Sequence, residues 1–93
     1  MHSLERFYPG DKGWKEFSDL FADSWQKCPC QEALLIAVEE KDLAWVICAA
    51  LGEDSITWLD QSVEALDGET PRECLQTKVG RERLKTVLMR MPW

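Results

Sequence analysis

"ALDGETPRECLQT", residues 65–77, carries the punctuation of two helix starts in one short stretch. Gly68 gives the backbone freedom for a turn. Thr70 can cap the helix that follows, and Pro71 suits its first position, where a missing N–H leaves no bond unmade. Glu73, three residues after Thr70, can reach back and complete a capping box. A short helix through Leu75 then ends near Thr77, which is itself placed to cap a last helix. The stretch predicts helix, tight corner, helix.

The same period continues on both sides. Downstream, Leu84, Val87, Leu88 and Met91 fall on one stripe, with Arg81, Arg83, Lys85 and Arg90 largely around it. Upstream, Asp54 can cap a short helix through Ile56, Trp58 and Leu59, and Val63 and Leu66 lead into the corner. "LAWVICAAL", residues 43–51, is apolar on nearly every face and should be the most buried helix, capped by Asp42 and ended by Gly52. Leu34, Leu35 and Val38 mark a helix from about residue 31 to 40, so residues 31–51 fit either one bent helix or two.

Before that, Trp14, Phe17, Leu20, Phe21 and Trp25 recur at spacings of three and four from Gly13 onward, until Cys28-Pro29-Cys30 stops the helix. Residues 1–12 contain Pro9-Gly10 and little periodicity, which predicts a loosely held arm. No stretch alternates as a strand would. The expected fold is all-α, a compact bundle of five or six short helices: arm 1–12, supporting helices 13–41, and a principal unit 42–93.

Composition narrows the functional classes. At 93 residues, 45% hydrophobic and 30% charged, the chain has the size and make-up of one globular domain. Its longest uncharged run is too short for a membrane helix, which needs about 20 residues. "MHSLERFYPG" at the start lacks the apolar core of a secretory signal. These features predict a soluble, cytoplasmic protein. The net charge of −6 is uneven: residues 1–76 hold six Lys or Arg against sixteen Asp or Glu, whereas residues 77–93 hold five cations against Glu82 alone. An acidic body disfavours nucleic acid, and a basic last helix suits an acidic partner or simply its own dipole.

From residue 43 onward the ordered elements resemble a known family. They are an apolar helix ending at Leu51-Gly52, then Trp58-Leu59, then Leu66-Asp67-Gly68 with Thr70-Pro71 and Glu73. Leu75, Thr77, Gly80 and the Leu84/Leu88 stripe complete the set. This order is similar to the toxin-binding domain of the Xre/MbcA/ParS antitoxins. The resemblance implies an all-helical module that covers the active site of a RES-type toxin, an enzyme that degrades NAD, and that tends to form a homodimer. Members usually carry an N-terminal helix-turn-helix as well. Here the preceding segment is short and acidic, with Glu16, Asp19, Asp23, Glu32, Glu39 and Glu40, so the expected protein lacks its own DNA-binding unit.

Within that reading, Trp58, Leu59, Leu66, Gly68, Thr70, Pro71, Glu73 and Gly80 are structural motif residues. Arg81, Lys85, Arg90, Met91 and Trp93 are the expected partner contacts, because cations beside aromatic anchors dominate interface energies. Trp93 suits contact or core equally. Two alternatives belong to other classes: a nucleic-acid-binding transcriptional regulator using the basic last helix, and an orphan dimeric structural domain. Cys28, Cys30, Cys48, Cys74 and His2 could be imagined around a metal, but one pair with a single intervening residue is a poor zinc signature, so reduced cysteines and no metal are expected. The lone His2 lies in the expected arm, and the pairs Glu39/Glu40 and Asp60/Glu64 read as solvated faces. No catalytic constellation and no cofactor is expected.

Overall fold

In the computed structural model, which describes residues 7–91, six α-helices follow one another. They are α1 (Asp11–Asp19), α2 (Gln31–Val38), α3 (Lys41–Leu51), α4 (Ser55–Leu59), α5 (Pro71–Cys74) and α6 (Lys78–Met89). Tighter 3-10 turns occupy Ser24–Lys27, Gly52–Asp54 and Glu64–Leu66. There is no strand among the described residues, and none of the helices is long and apolar enough to cross a membrane. The all-α expectation holds.

The corner between α5 and α6 forms as its letters dictate. Thr70 Oγ1 accepts the Glu73 N–H at 3.1 Å, and the Glu73 carboxylate accepts the Thr70 N–H at 2.8 Å. Thr77 Oγ1 accepts the Gly80 N–H at 2.9 Å and so opens α6. Each such cap contributes about 1 kcal/mol by satisfying an amide that the helix leaves unpaired. Gly68 turns the chain into this corner at φ 83°, a left-handed conformation that a side chain would strain. Arg72 reaches back from α5 to Asp60, just after α4, with Nε 2.7 Å from Oδ1. That hydrogen bond holds the Asp60 carboxyl below the usual carboxylate range.

The N-terminal half departs from its letters in several places. Residues 31–51 are two helices, not one, because Glu39 ends α2 in a left-handed conformation at φ 62° and Glu40 is extended. The N-cap of α3 is therefore Glu40 rather than Asp42, which lies inside the first turn. Asp54 does precede α4 but makes no side-chain cap, and Ser55 instead donates its hydroxyl to the Gly52 carbonyl at 2.7 Å. The first helix begins at Asp11 and ends at Asp19, so Leu20 falls outside it and is exposed, while Trp25 sits in the following 3-10 turn. Leu35 and Ile36 are exposed on α2. The described part of the expected arm is docked rather than loose, with Tyr8 packed against the core.

Helix α3 is the hub. It packs against α1, α2, α4 and α6, and Leu43, Ala44, Val46 and Ile47 have no exposed surface. One continuous apolar cluster runs from Trp14 through Leu34, Val38, Leu59 and Leu66 to Leu84 and Leu88. Residues 13–41 and 42–91 therefore share a single core. A domain this small buries a modest fraction of its surface, and pooling the helices in one core makes the most of it.

Candidate functional site

The cations of α6 do not form one free surface. Arg81 and Lys85 are four residues apart, hence on one helix face, and both reach the same carboxylate. Arg81 Nη1 lies 3.0 Å from Glu40 Oε1, and Lys85 Nζ lies 2.6 Å from Glu40 Oε2. Arg81 also donates to the Val38 carbonyl at 3.3 Å, where α2 ends. Lys85 is only 9% exposed, and its ammonium stands over the rings of Trp14 and Tyr8 at 5.4 and 5.9 Å.

The expectation of Lys85 as a partner contact is thus corrected. The lysine is an internal cation held by Glu40 and two aromatic faces. Glu40 is corrected with it, from a solvated acid to the carboxylate joining the α2–α3 break to α6. No local pattern could have disclosed this, since Glu40 stands some forty residues before its partners.

Tyr8 closes the same cluster from outside. Its hydroxyl donates to Asp11 Oδ1 at 2.9 Å. Burial pushes the phenol well above its ordinary value, and the Asp11 hydrogen bond and the negative charges of Asp11, Glu82 and Glu40 push it further. A raised folded pKa favours the neutral phenol, so this contribution to stability is intact below about pH 10, the unfolded value, and is lost as pH rises above it. Tyr8 is the only tyrosine in the chain. In an alkaline titration read at the phenolate absorbance, Tyr8 is expected to stay neutral beyond its ordinary range and to ionise together with loss of helix. Ionisation near pH 10 with helix content intact would contradict the docking of residues 7–10.

Two cations stay outside, Lys78 at the start of α6 and Arg90 just past its end. Arg90 is exposed and stacks over Phe7, with its guanidinium carbon 5.0 Å from the ring centroid, and Phe7 is itself 56% exposed. Met91, next to Arg90 in sequence, is half-buried and packs against the core. Trp93 lies outside the described residues. Phe7 was not legible as a site residue, because its neighbour Arg90 is at the far end of the chain. Arg83 pairs with Glu69 at 2.6 Å and ties α6 to the loop before α5. The motif residues Leu59, Leu66, Pro71 and Gly80 are buried scaffold, and Trp58 is half-buried.

The cysteines also differ from expectation. Cys28 and Cys48 form a disulfide, which corrects the reading of reduced thiols, while Cys30 and Cys74 are free. The bridge arises because the turn at Ser24–Lys27 packs on α3 and brings Cys28 to the middle of that helix. Sequence separation hid the pair. Comparison with known proteins adds nothing to this geometry: no family model, no curated protein and no solved structure matches the chain.

Proposed function

We propose that this chain is a protein–protein binding module of the antitoxin type, which docks on a RES-type NAD-degrading toxin and blocks its active site. The observation that carries the reading is the α5–α6 corner. There the capping box of Thr70 and Glu73, Pro71 at the first helical position and the close packing of Gly80 coincide with the ordered residues on which the resemblance rests. The contact surface is the exposed end of α6: Arg90 stacked on Phe7, with Met91 and Trp93 following in sequence. Arg81 lies at its edge and is partly committed to Glu40. The module acts as a homodimer. It works in the cytoplasm.

A nucleic-acid-binding role has less support. Arg83 is paired with Glu69, and Arg81 and Lys85 share Glu40 within the fold, which leaves few cations for phosphates.

The test is affinity purification of the tagged chain from its own host, with mass spectrometry of what co-elutes in moderate salt. A stoichiometric small protein that consumes NAD once freed is the expected result. Arg90→Glu should then weaken the complex by about tenfold or more while leaving the helix content unchanged. Arg90 is the informative position, because reversing Arg81 or Lys85 would disturb the Glu40 cluster and the fold together. Self-association alone, with no enzyme recovered, would refute the antitoxin reading.

A further inference from the structure

Three cysteines meet in one place although they come from two parts of the chain. The Cys28–Cys48 bridge joins the loop before α2 to the middle of α3. Cys30 keeps its thiol, with its sulfur 3.8 Å from Cys28 Sγ, and all three sulfurs lie within 4.8 Å of one another. The Cys30 thiol's other polar contact is a long one, to the Gly52 carbonyl at 3.8 Å. Cys30 also lines an open hollow with Pro29, Gln31 and Ile36, whereas Cys48 is buried.

A free thiol beside a disulfide is a nucleophile next to its electrophile, and exchange proceeds by thiolate attack on one of the bonded sulfurs. We propose that Cys28, Cys30 and Cys48 form a thiol–disulfide exchange site in which Cys28 and Cys30 alternate as the partner of Cys48. The Cys30 thiol gives its proton to solvent, and its sulfur bonds to Cys48 Sγ. The Cys28–Cys48 bond breaks, its electron pair leaves on Cys28, and Cys28 takes up a proton. One disulfide and one thiol stand on each side, so no external oxidant or reductant enters.

Attack on Cys28 instead would close a ring across Pro29 alone, against the geometry a disulfide requires, which makes Cys48 the common partner. Cys28 and Cys30 sit on one short loop, so side-chain rotation rather than unfolding exchanges them. Either isomer keeps this loop fastened to α3 and leaves one thiol free, and in the Cys28–Cys48 isomer that thiol, Cys30, faces the hollow. That thiol is where the site meets small thiols and disulfides from solvent.

The full chain, oxidised with oxidised glutathione and freed of it, is incubated at about pH 8, where the thiolate fraction is appreciable. Samples are quenched in acid and unfolded in guanidinium, the remaining thiols are labelled with a maleimide at mildly acidic pH, and the labelled positions are read by tandem mass spectrometry. The expected result is label divided between Cys30 and Cys28 within about tenfold, because the two bridges are chemically alike, with Cys48 unlabelled. Cys74 should be labelled throughout. Cys28→Ser should retain Cys48 in a bridge to Cys30, and Cys30→Ser should retain the Cys28–Cys48 bridge. Label on Cys30 alone at every time would overturn the proposal, as would label on Cys48 after oxidation. The label pattern of the wild-type chain decides between these outcomes even where a serine variant folds poorly.

Discussion

Gly80→Ala is expected to lower the unfolding free energy by about 2–3 kcal/mol. A Cβ at this position would stand 2.2 Å from the Cys74 carbonyl oxygen and 2.9 Å from its carbonyl carbon and Cα. All three are backbone atoms at the end of α5, so no side chain can turn aside to make room. Relief requires α5 to move away from α6, and Cys74 and Leu75, both buried, would lose packing with it. Alanine gains about 1 kcal/mol over glycine in an unstrained helix interior, so propensity by itself argues the other way. The sign of the result therefore decides whether close packing or helix propensity governs the corner. Urea unfolding followed by far-ultraviolet circular dichroism measures it, and an unchanged or increased midpoint would refute the packing described here.

Glu40→Ala should destabilise the fold by a similar amount, about 2–3 kcal/mol, for a different reason. The substitution removes one carboxylate but strands two cations, and the Lys85 side chain is only 11% exposed. Breaking a fully buried pair costs about 3–5 kcal/mol. The lower figure applies because Glu40 is 30% exposed, so water already screens part of the interaction, and because the Trp14 and Tyr8 rings still face the ammonium. The paired variant Glu40→Gln with Lys85→Met is expected to lose clearly less than the sum of its single changes, since it removes the more buried of the two stranded cations along with its partner. Strict additivity in thermal or urea unfolding would mean that Glu40 and Lys85 do not interact across α3 and α6.

The features legible in the sequence share one property: their causes are local. Thr70, Pro71 and Glu73 complete a capping box among themselves, Thr77 caps three residues ahead, and the apolar run 43–51 marks a buried helix wherever it is placed. The features that differ from expectation are those in which a residue answers to something distant. Asp42 reads as a cap because aspartate is a good one, but Glu40 is drawn into that position while its carboxylate serves Arg81 and Lys85. Leu20 and Leu35 fit an apolar stripe by spacing, yet the helices end or face in such a way that both are exposed.

For the candidate site the division is sharper. Sequence marked α6 as cationic, and the cations are there. Packing alone determined that Lys85 faces inward and that Arg90 lies outside over Phe7, because those environments are built by residues from the opposite end of the chain. The same holds for the Cys28–Cys48 bridge. Capping and periodicity act over one or two turns and are written in adjacent letters, so the sequence by itself determined the all-helical class, the buried run 43–51 and the corner at residues 65–77. Burial, ion pairing and sulfur chemistry depend on which distant side chains come within a few ångströms, and only the tertiary structure decided those.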